Sequence, residues 1–150
     1  MIALVDVNVL VALAWPNHVH HAAAHTWFGT WTSGWATTPV TESGFVRVSS
    51  SAAATGSAVR PVDAIALLQR IRDLSGHEFW PDSIEAVVGD HLPTTRVLGH
   101  RQVTDAHLLA LAMANDGTLA TFDQGLRSLA DRTLTRHVTV LPTRPDRDER

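Results

Sequence analysis

The chain has 150 residues, 45% of them hydrophobic, which suits one compact domain with a sizeable core and not two. It has no cysteine, so disulfide frameworks, thiol nucleophiles and thiolate metal sites are excluded, as fits a reducing compartment. All 12 basic residues are arginine, which weighs against enzymes that place a lysine on phosphate, and the net charge of -3 carries no signature of nucleic-acid binding, although acids around a cation would mask basic surface in that total.

The opening run MIALVDVNVLVALAW puts residues 2–5 in a strand buried on both faces and NVLVALAW in a short helix stopped by Pro16. Asp6 then sits at the carboxyl end of the strand, where open α/β sheets place ligands. The run lacks a basic flank and is interrupted by Asp6 and Asn8, so neither a signal peptide nor a membrane span fits, and the expectation is a soluble cytoplasmic protein without membrane partners. HVHHAAAHTWFGTW has helical spacing, and Trp35-Ala36-Thr37 reads as a second strand. TESGFVRV follows Pro39 as a helix, with Thr41 as N-cap and Glu42 in the first turn. Residues 49–58 (SSSAAATGSA) read as a mobile loop.

A helix is expected from about Pro61 to Leu74, with Val62, Ile65, Leu68, Ile71 and Leu74 mainly on its inner side. Residues 77–80 (HEFW) form a third strand, and Asp82 with Glu85 has the form of a capping box opening a helix through Val88. TDAHLLALAMAND is apolar almost all round from Ala106 to Ala114, as in a buried central helix capped by Thr104 and ended by Asn115-Asp116-Gly117. TLATF makes a fourth strand, QGLRSLA a short helix after Asp123, and HVTVL the last strand. The charged tail TRPDRDER, residues 143–150, reads as disordered beyond a single domain over residues 1–142. Strands alternating with helices predict a three-layer α/β/α sandwich on a mainly parallel sheet.

Four acids share one address. Asp6 and Asp123 follow strands, while Glu42 and Asp105 open helices, and in a parallel sheet those helix starts lie above the same edge. Taken singly, Glu42, Asp105 and Asp123 also read as helix-terminal acids favoured by the macrodipole. Asp6 has no such ordinary reading, because an unpaired buried charge costs several kcal/mol. Two like charges at 4 Å repel by about 4 kcal/mol at an effective dielectric of about 20, so four acids in one pocket must hold protons or a cation. An all-oxygen site suits Mg²⁺, with Mn²⁺ as substitute.

DVNVL at residues 6–10, TESGFVR at 41–47, VTDAHLLALA at 103–112 and ATFDQGL at 120–126 resemble, in order and spacing, the motifs of the PIN domain, especially its VapC toxin branch. The resemblance implies a five-stranded parallel sheet and Mg²⁺-dependent ribonuclease activity in a toxin–antitoxin pair. It places Asp6, Glu42, Asp105 and Asp123 in the four acidic positions of the catalytic metal site, Asn8 and Thr104 in its supporting positions, and Arg47 at a recurring arginine suited to substrate phosphate. It further implies structured RNA as substrate, a VapB-like antitoxin, and homodimeric and toxin–antitoxin assemblies. A non-catalytic metal-stabilised RNA-binding module and a DNA nuclease of related fold stay open beside it.

Other side chains compete for a role. His21 and His25, an i, i+4 pair within the run from His18, can in principle bind Zn²⁺ or Ni²⁺, but no acid lies at helical spacing, which favours a solvated face. His107 is read as a partly exposed helix-start histidine, because i and i+2 point apart from Asp105. Phe79 and Trp80 read as core, and Trp15, Trp27 and Trp31 as apolar surface for a partner helix or a second copy.

Overall fold

The computed structural model describes residues 1–51, 59–86, 88–89, 99–128 and 134–143. Five strands, β1 (Ala3–Val5), β2 (Trp35–Thr37), β3 (His77–Phe79), β4 (Thr118–Thr121) and β5 (Val138–Val140), form one sheet in the order β3-β2-β1-β4-β5. Every pairing is parallel. From β1 the chain winds outward through β2 and β3 and then returns to build β4 and β5 on the other side. The strand order therefore reverses between β1 and β4, the position at whose carboxyl ends open α/β sheets place their ligands.

The helices are α1 (Val7–Ala14), α2 (His21–Thr30), α3 (Pro39–Ser49), α4 (Pro61–Arg72) and α5 (Val103–Ala114). Alternation along β1 sends Ala3 and Val5 to one face, where they pack with Val9, Trp27, Phe45 and Leu68 from α1, α2, α3 and α4. Leu4 points to the other face, against Leu108, Leu109 and Leu111 of α5. Helices on both faces of the sheet make the three layers that the periodicity predicts. Among the described residues no helix is long and apolar enough to cross a membrane.

Several local expectations shift. Helix α3 begins at Pro39 with Thr38 as its N-cap, three residues before the expected Thr41, because the fixed φ of proline suits the first helical position. Thr41 instead accepts the Thr38 N–H on Oγ1 at 3.0 Å. Thr104 is not the cap of α5 either: that helix starts at Val103, behind a 3₁₀ turn over His100–Gln102, and Thr104 is an exposed residue of its first turn. No helix opens at Asp82, where the described residues of 81–89 form turns, and Asp82 bonds across to α5. Helix α4 buries Ala64 and Leu68, leaving Val62 59% and Ile65 45% exposed. The segment after Asp123 is a 3₁₀ turn over Gln124–Ser128 that buries Leu126. Helix α3 takes in Ser49 of the expected loop; its residues 52–58, and 144–150 of the tail, lie outside the described set.

At the end of α5 it is Asp116 that adopts the left-handed conformation, with φ 51°. Gly117 is required for space. A Cβ there would lie 2.6 Å from the Ile2 carbonyl oxygen and 2.6 Å from the Trp80 ring, both fixed by the sheet and core. Gly117→Ala should therefore destabilise the protein by about 2 kcal/mol through overpacking. Gly29→Ala, where a Cβ meets nothing within 4 Å, should stabilise by up to about 1 kcal/mol through helix propensity. Urea unfolding of both variants checks the opposite signs.

Candidate active site

Asp6 is the residue at which β1 becomes α1, and it caps that helix from an extended conformation (φ -63°, ψ 155°). Its Oδ1 accepts the Val7 N–H at 2.7 Å, and its Oδ2 accepts the Thr121 hydroxyl at 3.3 Å. The residue is only 8% exposed. Burial pushes its pKa up, the two hydrogen bonds oppose that rise, and the charge of Asp123 adds to it.

Thr121, at the end of β4, joins two of the acids. Its Oγ1 donates to Asp6 and accepts the Asp123 N–H at 3.0 Å, so one buried hydroxyl links the carboxylate after β1 to the backbone of the acid after β4. Asp123 is exposed and folds back to accept the Gly125 N–H at 2.8 Å on Oδ1. Asp105, in the first turn of α5, is half-buried. Burial first, then the charges of Asp6 and Asp123, push its pKa up to about 6. Asp6, Asp105 and Asp123 thus act on one another electrostatically.

Glu42 is held by a different set of partners. From α3 its Oε1 accepts the Thr37 hydroxyl at 2.8 Å, and the carboxylate meets the Arg72 guanidinium, with Nη1 3.3 Å from Oε1 and 3.5 Å from Oε2. Thr37 also meets the His77 Nε2 at 2.7 Å. Burial and the nearby Arg72 push the His77 pKa down, against the pull of Glu42 and Glu78. Arg72 lies over the Phe79 ring at 5.2 Å, and Phe79 is 42% exposed where the sequence reading had it in the core; Trp80 is buried as expected. Glu42, Arg47 and Arg72 line a cavity of about 660 Å³ between α3 and α4, together with Ile65 and Leu68. Arg47 and Asn8 are both exposed. Among the described residues no three His, Asp or Glu side chains close into a ready-made metal cage.

The histidines serve the fold. His21 Nδ1 lies 2.7 Å from the Ala12 carbonyl and His25 Nε2 2.9 Å from that of Leu13, so these rings donate to the last turn of α1, whose carbonyls have no helical partner. His25 is exposed, as the expected solvated face requires, whereas His21 is half-buried. His107 bonds Asp82 at 2.7 Å, tying the segment after β3 to α5. The tryptophans are not open surface: Trp27 is buried, Trp15 donates to Ser49 Oγ at 2.9 Å, and Trp31 donates to the Gly34 carbonyl at 2.8 Å. Thr121, Thr37 and Arg72 are site residues the sequence reading missed. The Thr-Phe-Asp triplet of 121–123 held a signal for the first, but nothing local marks the other two.

This class of molecule is a doubly wound parallel α/β domain whose carboxylates gather at the point where the strand order reverses. The sequence model of the PIN domain family matches residues 3–132. Ribonuclease VapC39 of Mycobacterium tuberculosis (strain ATCC 25618 / H37Rv) is 52% identical over 131 residues, covering 87% of this chain and 94% of that protein. Ribonuclease VapC38 of the same strain is 48% identical over 131 residues (87% and 91%), and Ribonuclease VapC29 is 41% identical over 129 (86% and 91%). The chain belongs to the PIN domain family, in its VapC branch.

The raised pKa of Asp105 has a definite sign in stability. The folded state holds that proton more tightly than the unfolded chain, so this contribution is favourable at low pH and is lost as pH rises from about 3.8 to about 6. In metal-free buffer, Asp105→Asn should gain melting temperature over wild type above pH 6 and lose that advantage near pH 4. A difference that does not change with pH would place Asp105 outside the coupled set.

Proposed function

We propose that this protein is the toxin of a VapBC-type pair, a Mg²⁺-dependent endoribonuclease that cuts a tRNA or rRNA loop to 5′-phosphate and 3′-hydroxyl ends and so inhibits translation. The observation that carries the reading is the trio of Asp6, Asp105 and Asp123 at the carboxyl ends of β1 and β4, near enough for the charges of Asp6 and Asp123 to act on Asp105 and that of Asp123 on Asp6. Asp6 and Asp105 keep their protons more tightly than free carboxylates, because burial first and then the neighbouring charges disfavour their charged forms. Such an all-oxygen set fits a hard divalent cation, Mg²⁺ or Mn²⁺, which would take the place of those protons. When bound, the cation supplies acidity to water and neutralises charge on the phosphate.

The chain's own residues divide the remaining work. Asp6, fixed by Val7 and Thr121, is the rigid anchor of the set, and Asp105 and Asp123 complete it from α5 and β4. Glu42 joins as the fourth acid from the α3 side, while Asn8 and Thr104 support from the first turns of α1 and α5. Arg47, exposed beside the cavity, presents a planar fork to substrate phosphate. Water attacks the phosphorus in line and the 3′-oxygen leaves, so no 2′-hydroxyl attack and no cyclic phosphate is involved.

A free ribonuclease endangers its host, and a VapB-like antitoxin is the proposed restraint, within homodimeric and hetero-oligomeric assemblies. The contact of Arg72 with Glu42 supports an arginine as the inhibitory group, because a guanidinium already meets one of these acids. With the tryptophans largely internal, Val62 and Ile65 on α4 provide exposed apolar surface for such a partner.

Asp6→Asn keeps the shape of the side chain and removes its charge. Cleavage of RNA in Mg²⁺ should fall on the order of 100-fold or more, with folding and RNA binding preserved. Unchanged cleavage would leave the acids a structural role, cyclic-phosphate ends would overturn the hydrolytic chemistry, and equal cleavage of DNA would favour a nuclease of broader substrate. Mg²⁺ should also raise the melting temperature by binding only the folded acids, and that shift should vanish in Asp6→Ala/Asp105→Ala. Expression alone should arrest growth, with rescue by a co-expressed VapB-like antitoxin; harmless expression of an active protein would remove the toxin role and leave the chemistry.

A further inference from the structure

Glu42 is held from two sides, and the inner side has a direction. Thr37 Oγ1 donates its single proton to Glu42 Oε1 at 2.8 Å, so at the 2.7 Å contact with His77 the hydroxyl is the acceptor and the ring Nε2 carries the hydrogen. The chain therefore runs from His77 Nε2–H to the Thr37 hydroxyl to the Glu42 carboxylate. Its middle member is fully buried at the end of β2. Its outer member stands on the neighbouring strand β3, with its ring packed on Trp35 at 4.6 Å between centroids. On the open side, Arg72 meets the same carboxylate at longer range.

A glutamate has three rotatable bonds, and a hydroxyl rotor can turn its proton toward any nearby acceptor. By filling the acceptor side of Thr37, His77 leaves that proton one use, which is to fix Oε1 of Glu42. We propose that His77 is a positioning residue for the active site, acting through Thr37 to hold the Glu42 carboxylate in its working orientation. The inference rests on the reading of Glu42 as the fourth site acid. Neither Thr37 nor His77 touches substrate in this role.

The test uses the full chain and a fluorescently labelled RNA stem-loop that the wild-type protein cleaves in Mn²⁺. His77→Phe should lower kcat about tenfold with KM nearly unchanged, because orientation is lost and substrate contacts are kept. His77→Gln, whose amide N–H reaches the same place, should recover most of that loss. Thr37→Val should match His77→Phe, and the double variant should be no worse than Thr37→Val, since both changes break one chain. A readout independent of activity is the ring ¹⁵N–¹H spectrum of the metal-free wild type, where His77 should show the Nε2–H tautomer with a hydrogen-bonded proton that disappears in Thr37→Val. This readout decides even if His77→Phe does not fold. An Nδ1–H tautomer, full kcat in His77→Phe, or a loss that glutamine does not recover overturns the inference. Glu42→Gln separates the two levels: if it cleaves as well as wild type, the role of Glu42 itself falls and this inference with it, whereas an inactive Glu42→Gln beside a fully active His77→Phe removes the positioning role alone.

Discussion

A carboxylate kept almost out of water at the junction of β1 and α1 is the constraint around which this molecule is arranged. Asp6 cannot be buried without compensation, and the fold supplies three kinds. The first turn of α1 offers the Val7 N–H and the positive end of a helix. Strand β4 offers the Thr121 hydroxyl. What these donors leave unbalanced is the upward pressure on the pKa values of Asp6 and Asp105, to which burial contributes most.

The parallel sheet makes that arrangement economical in residues. Because β1 lies at the centre and the winding reverses beside it, Asp6 and Asp123 follow neighbouring strands, and the first turn of α5 brings Asp105 over the same edge. Thr121 then serves both strand-end acids with a single oxygen, donating to one side chain and accepting from the other's backbone. The α3 side is built differently. Glu42 is held by Thr37 of β2 and Arg72 of α4, and Arg72 lines the cavity between α3 and α4 with it.

Three histidines hold helices in place. His21 and His25 donate to the open carbonyls of α1, and His107 binds Asp82. In two of the three a ring nitrogen meets a carbonyl of the last turn of α1, and in the third it meets a carboxylate in the segment after β3. The same economy places His77 against Thr37.

The sequence by itself determined the layers, the strand series and the placing of Asp6 and Asp123 just after β1 and β4. Apolar strand runs and the helical repeat are local properties that burial imposes directly, and the strand ends carrying Asp6 and Asp123 followed from them. Cap positions were less legible: Thr41 and Thr104 have the right chemistry for caps, but Pro39 and the turn before Val103 start their helices earlier. Contacts between distant segments were decided only by the tertiary structure. Arg72 reaches Glu42 across 30 residues, Thr121 reaches Asp6 across 115, and Phe79 is exposed because β3 lies at the sheet edge, where its apolar sequence meets fewer neighbours. Local periodicity reports which face is apolar; it holds no record of which partner the fold later brings to that face, and the working geometry of this site is made of such partners.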